Sequence, residues 1–167
     1  KDLKILPYEH ASEGRYIYTQ AYLGSVQQKI SKGLDSDKAI ERLNKALLWP
    51  ENLGVGKPFN PEERLERFLL AYLLQINGNK KASKKELQKV LNYSVTQLSS
   101  TSKNHLLGIY AIQQIQGEEK AKEFIAQLLE SKHGSSSTTQ DLVQFYYNNL
   151  LIAWDRQFIN KLIIFLN

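Results

Sequence analysis

The stretch that most invites a chemical reading is Gly54-Val55-Gly56-Lys57, since backbone amides beside a lysine can cradle a phosphate. Phosphate-loop chemistry needs a glycine where Glu51 stands and a hydroxyl where Pro58 stands, and no strand pattern precedes the stretch. It reads instead as a rigid connection that uses glycine for unusual backbone angles. At roughly ten residues it exceeds the short turn that stacked helices require, and long ordered loops are disproportionately functional. Trp49, Asn52 and Lys57 are therefore candidate loop residues, with Trp49 as an anchor packed beneath.

Other chemistries lack their parts. His10, His105 and His133 stand far apart, and none pairs at a metal-ligand spacing on a helix. Glu62, Glu63 and Glu66 open a helix, where acids favour the positive end of the dipole. With no cysteine and no Gly-x-Ser-x-Gly elbow, the sequence assigns no catalytic residue, cofactor or metal. Tyrosine supplies 9 residues against 6 Phe and 2 Trp, and a phenol offers apolar area with a polar tip. Tyr72, Tyr110, Tyr146 and Tyr147, on the first helices of successive pairs, are candidates for an inner binding groove that Arg64 and Arg67 could also reach. Those helices must also supply the core between pairs, a role that competes for the same tyrosines.

Several elements must position these residues. Gly33, Gly78 and Gly117 each follow one apolar-periodic run and precede another, as a glycine ending a helix does. Their spacings of 45 and 39, with a further turn at Trp154-Asp155, fit stacked helical pairs. Four pairs are expected, at about 12–48, 60–93, 102–131 and 138–166. Start signals are Ser12, Asp35 or Ser36, the run Asn60-Pro61-Glu62-Glu63, and Thr138 with Asp141. Sustained two-residue alternation, the mark of strands, is missing, so the fold class is all-α, an α-solenoid of about four hairpins. Ala39, Leu43 and Ala46 form a small-large-small face built for a close neighbour, and Pro50 ends that run.

The final helix, from Phe158 to Leu166, is apolar on more than one face. Another element covers it, or it joins two chains as a homo-oligomer. Of the net charge of +5, most comes from Lys80, Lys81, Lys84, Lys85 and Lys89 against Glu86, which reads as a solvated helix face. With 17 Lys to 5 Arg, nucleic acid is disfavoured as a partner. The chain starts at Lys1 and holds no Met, which reads as a fragment or a processed form. It shows no signal-peptide pattern, and its longest apolar run, Leu162 to Leu166, is too short for a membrane span.

Ala39-x3-Leu43, Ala46 and Pro50 resemble the second helix of a tetratricopeptide repeat, although proline comes one residue early and the spacings exceed the repeat's usual length of about 34. Trp49 to Pro58, between two hairpins, is similar to a segment in the C-terminal tetratricopeptide part of large bacterial proteins. Their N-terminal part is an uncharacterised, β-rich domain of sugar-mutarotase-like type. The resemblance implies a non-enzymatic scaffold or docking module whose partner is a protein, a peptide or a neighbouring domain of the same chain. It also implies an alternative, a helical accessory region of a carbohydrate-active or carbohydrate-binding protein. The compartment stays open.

Overall fold

The structure, a computed structural model, describes residues 11–33, 35–50, 52, 56–150 and 154–167, with side chains from Glu13 onward. Among them are eight helices and no strand. These are α1 (Ala11–Lys32), α2 (Ser36–Ala46), α3 (Arg64–Ile76), α4 (Lys80–Thr96), α5 (His105–Gln116), α6 (Glu118–Glu130), α7 (Ser137–Asn148) and α8 (Arg156–Leu166). None is long and apolar enough to cross a membrane.

Local chemistry sets most of the helix ends. Gly33, Gly78 and Gly117 take φ of 67°, 80° and 97°, the left-handed conformation that lets a chain leave one helix and enter the next. Asp35 caps α2 by accepting from the Lys38 amide at 3.1 Å, and Asp155 caps α8 through the Phe158 amide at 2.9 Å. Each such cap stabilises its helix by about 1 kcal/mol. Two starts differ from expectation. α7 is capped by Ser136, which accepts from the Thr139 amide at 3.2 Å, and not by Thr138. α3 begins at Arg64, past the Asn60-Pro61 signal, with Glu63 as its N-cap residue, whose carbonyl accepts from the Arg67 amide at 3.1 Å. Ser12 lies within α1, where its side chain is not described, and Leu151, expected in the last pair, lies outside the described residues.

Successive helices from α1 to α7 pack on one another, and α3 also touches α5 as α5 touches α7. From α3 onward, first helices thus meet first helices, a helical-repeat arrangement. Ala39, Leu43 and Ala46 are fully buried where α2 meets α1 and α3, as the small-large-small face required. Phe68 and Leu69 of α3, Leu106 and Ile109 of α5 and Ile125 of α6 continue the core, each such side chain contributing about 1.5–3 kcal/mol. The lysines at 80, 81, 84, 85 and 89 are exposed along α4.

α4 and α5 approach closely at Gly108, where a Cβ would stand 2.5 Å from Ser94 Cβ. Substituting Gly108→Val is expected to cost about 2–3 kcal/mol through overpacking, measured by urea denaturation. Combining it with Ser94→Gly should recover part of that loss.

The last pair corrects the expected fourth hairpin. The close backbone approach of α8 is to α1, at the other end of the chain. It meets α7 through long side chains, with the Phe145 and Phe165 rings 4.4 Å apart and Lys161 Nζ donating to Asn149 Oδ1 at 2.7 Å. Phe158 meets Tyr110 in the middle of α5 while Lys103, just before α5, donates to the Phe165 carbonyl at 3.0 Å, so α8 runs opposite to α5. Phe158, Ile159, Leu162 and Ile163 are buried and Ile164 stays exposed. Most of the apolar face of this helix is therefore covered within the chain.

Candidate functional site

The first helices make the inner wall expected to bind something, and α8 lies across it. Trp154, just before α8, puts its ring 5.4 Å from Phe68 and 6.1 Å from Tyr72. The Phe158 ring stands edge-on to Tyr110 at 4.9 Å. Burial of Tyr72 at 3%, Tyr110 at 4% and Tyr146 at 0% exposure corrects the expectation that these three line an open groove. The reason is physical. α8 has an apolar face to bury, and the wall of first helices is the large apolar surface within reach. Tyr147 alone of the four remains exposed.

This cover fits imperfectly. Among the described residues, Tyr110 Oη and Trp154 Nε1 are buried with no hydrogen-bond partner, and so is Tyr146 Oη, whose ring packs 5.4 Å from that of Tyr110. An unmade hydrogen bond of this kind costs about 1–3 kcal/mol. Burial pushes both phenol pKa values up, that of Tyr146 to about 12, so both stay neutral donors.

The other candidates gather at the start of α3. Arg64, Arg67 and Lys57 share the wall of a cavity of about 690 Å³ with Phe59, Asn60 and Tyr93. Their charges are already engaged. Glu63, only 5% exposed, accepts from Trp49 Nε1 at 3.1 Å, pairs with Lys57 at 2.9 Å and pairs with Arg67. Arg67 also reaches Glu86 at 2.8 Å, which Lys89 shares at 2.6 Å. Despite its burial, these partners hold the Glu63 carboxyl below its usual range. Trp49 is thus the anchor of the connection before α3, and Asn52 is exposed. Glu51, Leu53, Gly54 and Val55 lie outside the described residues.

Arg64 is 1% exposed and holds three helices together. Its Nε donates to Glu62 at 2.9 Å, and its Nη1 reaches Ser94 Oγ at 3.4 Å and His105 Nδ1 at 3.3 Å, over the Tyr93 ring at 5.0 Å. Since a guanidinium only donates, His105 Nδ1 accepts and Nε2–H donates to the Ser100 carbonyl at 2.9 Å. Burial, reinforced by Arg64, lowers the His105 pKa and keeps the ring neutral. Sequence reading overlooked this network. A lone histidine opening the wholly apolar run from Leu106 to Ile112 was its one signal.

Ser100 Oγ stands 3.3 Å from His105 Nε2, but that nitrogen carries the proton donated to the Ser100 carbonyl and so offers the hydroxyl no base. Among the described residues no group of three or more acid or imidazole side chains could hold a metal. His105 is occupied as above, His133 is half-buried in the α6–α7 turn, and His10 lies outside the described residues. No family model matches the chain, and neither a curated protein nor a solved structure matches it.

Proposed function

We propose that this chain is a non-enzymatic scaffold, a tetratricopeptide-like α-solenoid that docks a protein segment or a neighbouring domain on the wall formed by its first helices. One observation carries this reading. The wall already accepts an amphipathic helix, α8, through aromatic contacts to α5 and α7 and, by way of the preceding Trp154, to α3, yet leaves the tips of Tyr110 and Trp154 without partners. Such a wall suits recognition of a helix in a groove, with α8 as a resident that a better-matched segment displaces. The incoming segment would present apolar anchors at helical spacing and an acceptor for Tyr110 Oη. The resemblance of Ala39 to Pro50 supports the repeat class, and that of Trp49 to Pro58 a place within a larger bacterial protein.

Loosening α8 tests the reading. A labelled peptide of residues 154–167, added to a Phe158→Ala chain, is expected to bind with a Kd of about 1–10 µM by fluorescence anisotropy, while the unaltered chain takes up little. A variant that keeps its remaining helices by circular dichroism and still ignores the peptide would overturn the proposal.

A further inference from the structure

We propose that the pocket between α1, the α2–α3 connection and the start of α3 binds a small planar ligand carrying a carboxamide, or an equivalent neutral donor–acceptor group, between Arg15 and Glu66. This site lies apart from the wall covered by α8 and does not depend on the docking function.

The pocket measures about 450 Å³, within the range of small-molecule sites, and Tyr16, Trp49 and Leu65 give it apolar and aromatic walls. Arg15 lines it at 8% exposure. Its Nη2 donates to the Ala46 carbonyl at 2.7 Å and its guanidinium lies over the Trp49 ring at 4.4 Å, but Nε and Nη1 are buried with no acceptor. Glu66 lines the same pocket at 7% exposure. The two feel each other's charge without forming a direct ion pair.

Among the described residues, the neighbouring carboxylates that could complete Arg15 are engaged elsewhere. Glu62 is held by Arg64, and Glu63 by Trp49, Lys57 and Arg67. Burial lifts the Glu66 carboxyl to about 7, offset only in part by its own backbone amide and the Arg15 charge. Among the described residues, the pocket therefore holds a buried cation with open donors beside a buried carboxylate with no cation in contact, and each is costly to leave so.

The ligand class follows from that pair. An anion would satisfy Arg15 and be repelled by ionised Glu66, and a cation would meet the reverse. A neutral amide meets both, its carbonyl accepting from Arg15 and its N–H donating to Glu66. The aromatic walls suit a flat body behind the amide.

Three probes of similar size separate these cases on the whole chain: benzamide, benzoate and benzylammonium, followed by the Trp49 indole N–H resonance at pH 8. Benzamide is expected to bind with a Kd of about 1 mM, fitting for so small a ligand, and about tenfold more tightly than either ion. Glu66→Gln removes the repulsion and should turn the preference toward benzoate, as should lowering the pH to 6 with the unaltered chain. Arg15→Lys should lose benzamide. Equal or tighter binding of either ion by the unaltered chain at pH 8, no response to benzamide at ten times the expected Kd, or an unchanged preference in a folded Glu66→Gln variant would each refute the assignment.

Discussion

Substituting Phe158→Ala is expected to cost about 3–5 kcal/mol of stability, the range for removing a buried aromatic ring. Phe158 is 3% exposed, sits on the face of α8 turned toward the wall, and packs edge-on against Tyr110. Truncation leaves a hole between α5 and α8 that the rigid first helices cannot close, and it removes the ring pairing as well. Urea denaturation read by circular dichroism gives the number. Ile164→Ala serves as the contrast, since Ile164 lies on the same helix at 76% exposure and its loss should fall within about 0.5 kcal/mol. If the two substitutions cost the same, α8 is not seated on the wall.

The second large effect is a loss of stability as pH rises through neutrality. Glu66 titrates near 7 in the folded chain against 4.5 for the free group, so between those values the folded state holds a proton that the unfolded state has lost. Stability contributed by the neutral carboxyl is therefore present below about pH 4.5 and is lost progressively up to and just beyond pH 7, about 3 kcal/mol in all as an upper value. His105 acts in the opposite sense. Its lowered pKa means that protonation opposes folding, so its stabilisation is present above about 6.5 and is lost as the pH falls. Glu63, held low by its partners, gives up stability only in acid below its usual range.

The window from pH 6.5 to 8 thus reads Glu66 most cleanly. Denaturation midpoints there should fall by the equivalent of about 1 kcal/mol in the unaltered chain and stay flat in Glu66→Gln, which should be the more stable protein at pH 8. A flat profile in the unaltered chain would place Glu66 in water or in an ion pair.

Particular residues show why some features were legible in the sequence and others were not. The helix-ending glycines and the Asp35 cap depend on a few neighbouring residues, since a left-handed φ or an amide three positions on is a local demand. The buried small-large-small face of α2 was likewise readable, because helical geometry alone brings Ala39, Leu43 and Ala46 onto one side. The same reasoning failed at α3. Asn60-Pro61 is a sound local start signal, but α3 starts at Arg64, after the N-cap Glu63 on whose side chain Trp49, Lys57 and Arg67 converge from outside that local window. The tyrosines were placed on the correct helices and given the wrong surroundings. A phenol on an inner face follows the same periodicity whether water or another helix covers it.

By itself, then, the amino-acid sequence determined the all-helical class, the turns between helices and the apolar faces, along with the solvated lysine row of α4, because each follows from interactions within a few residues. Only the tertiary structure decided that α8 returns to α1 and closes over Tyr72 and Tyr110, that Glu63 gathers the connection before α3, and that Arg15 and Glu66 face one pocket. Arg15 and Glu66 sit on different helices, and α8 is separated from α1 by most of the chain. Which distant surfaces meet depends on the competition among all apolar faces for cover, and no local periodicity records the outcome of that competition.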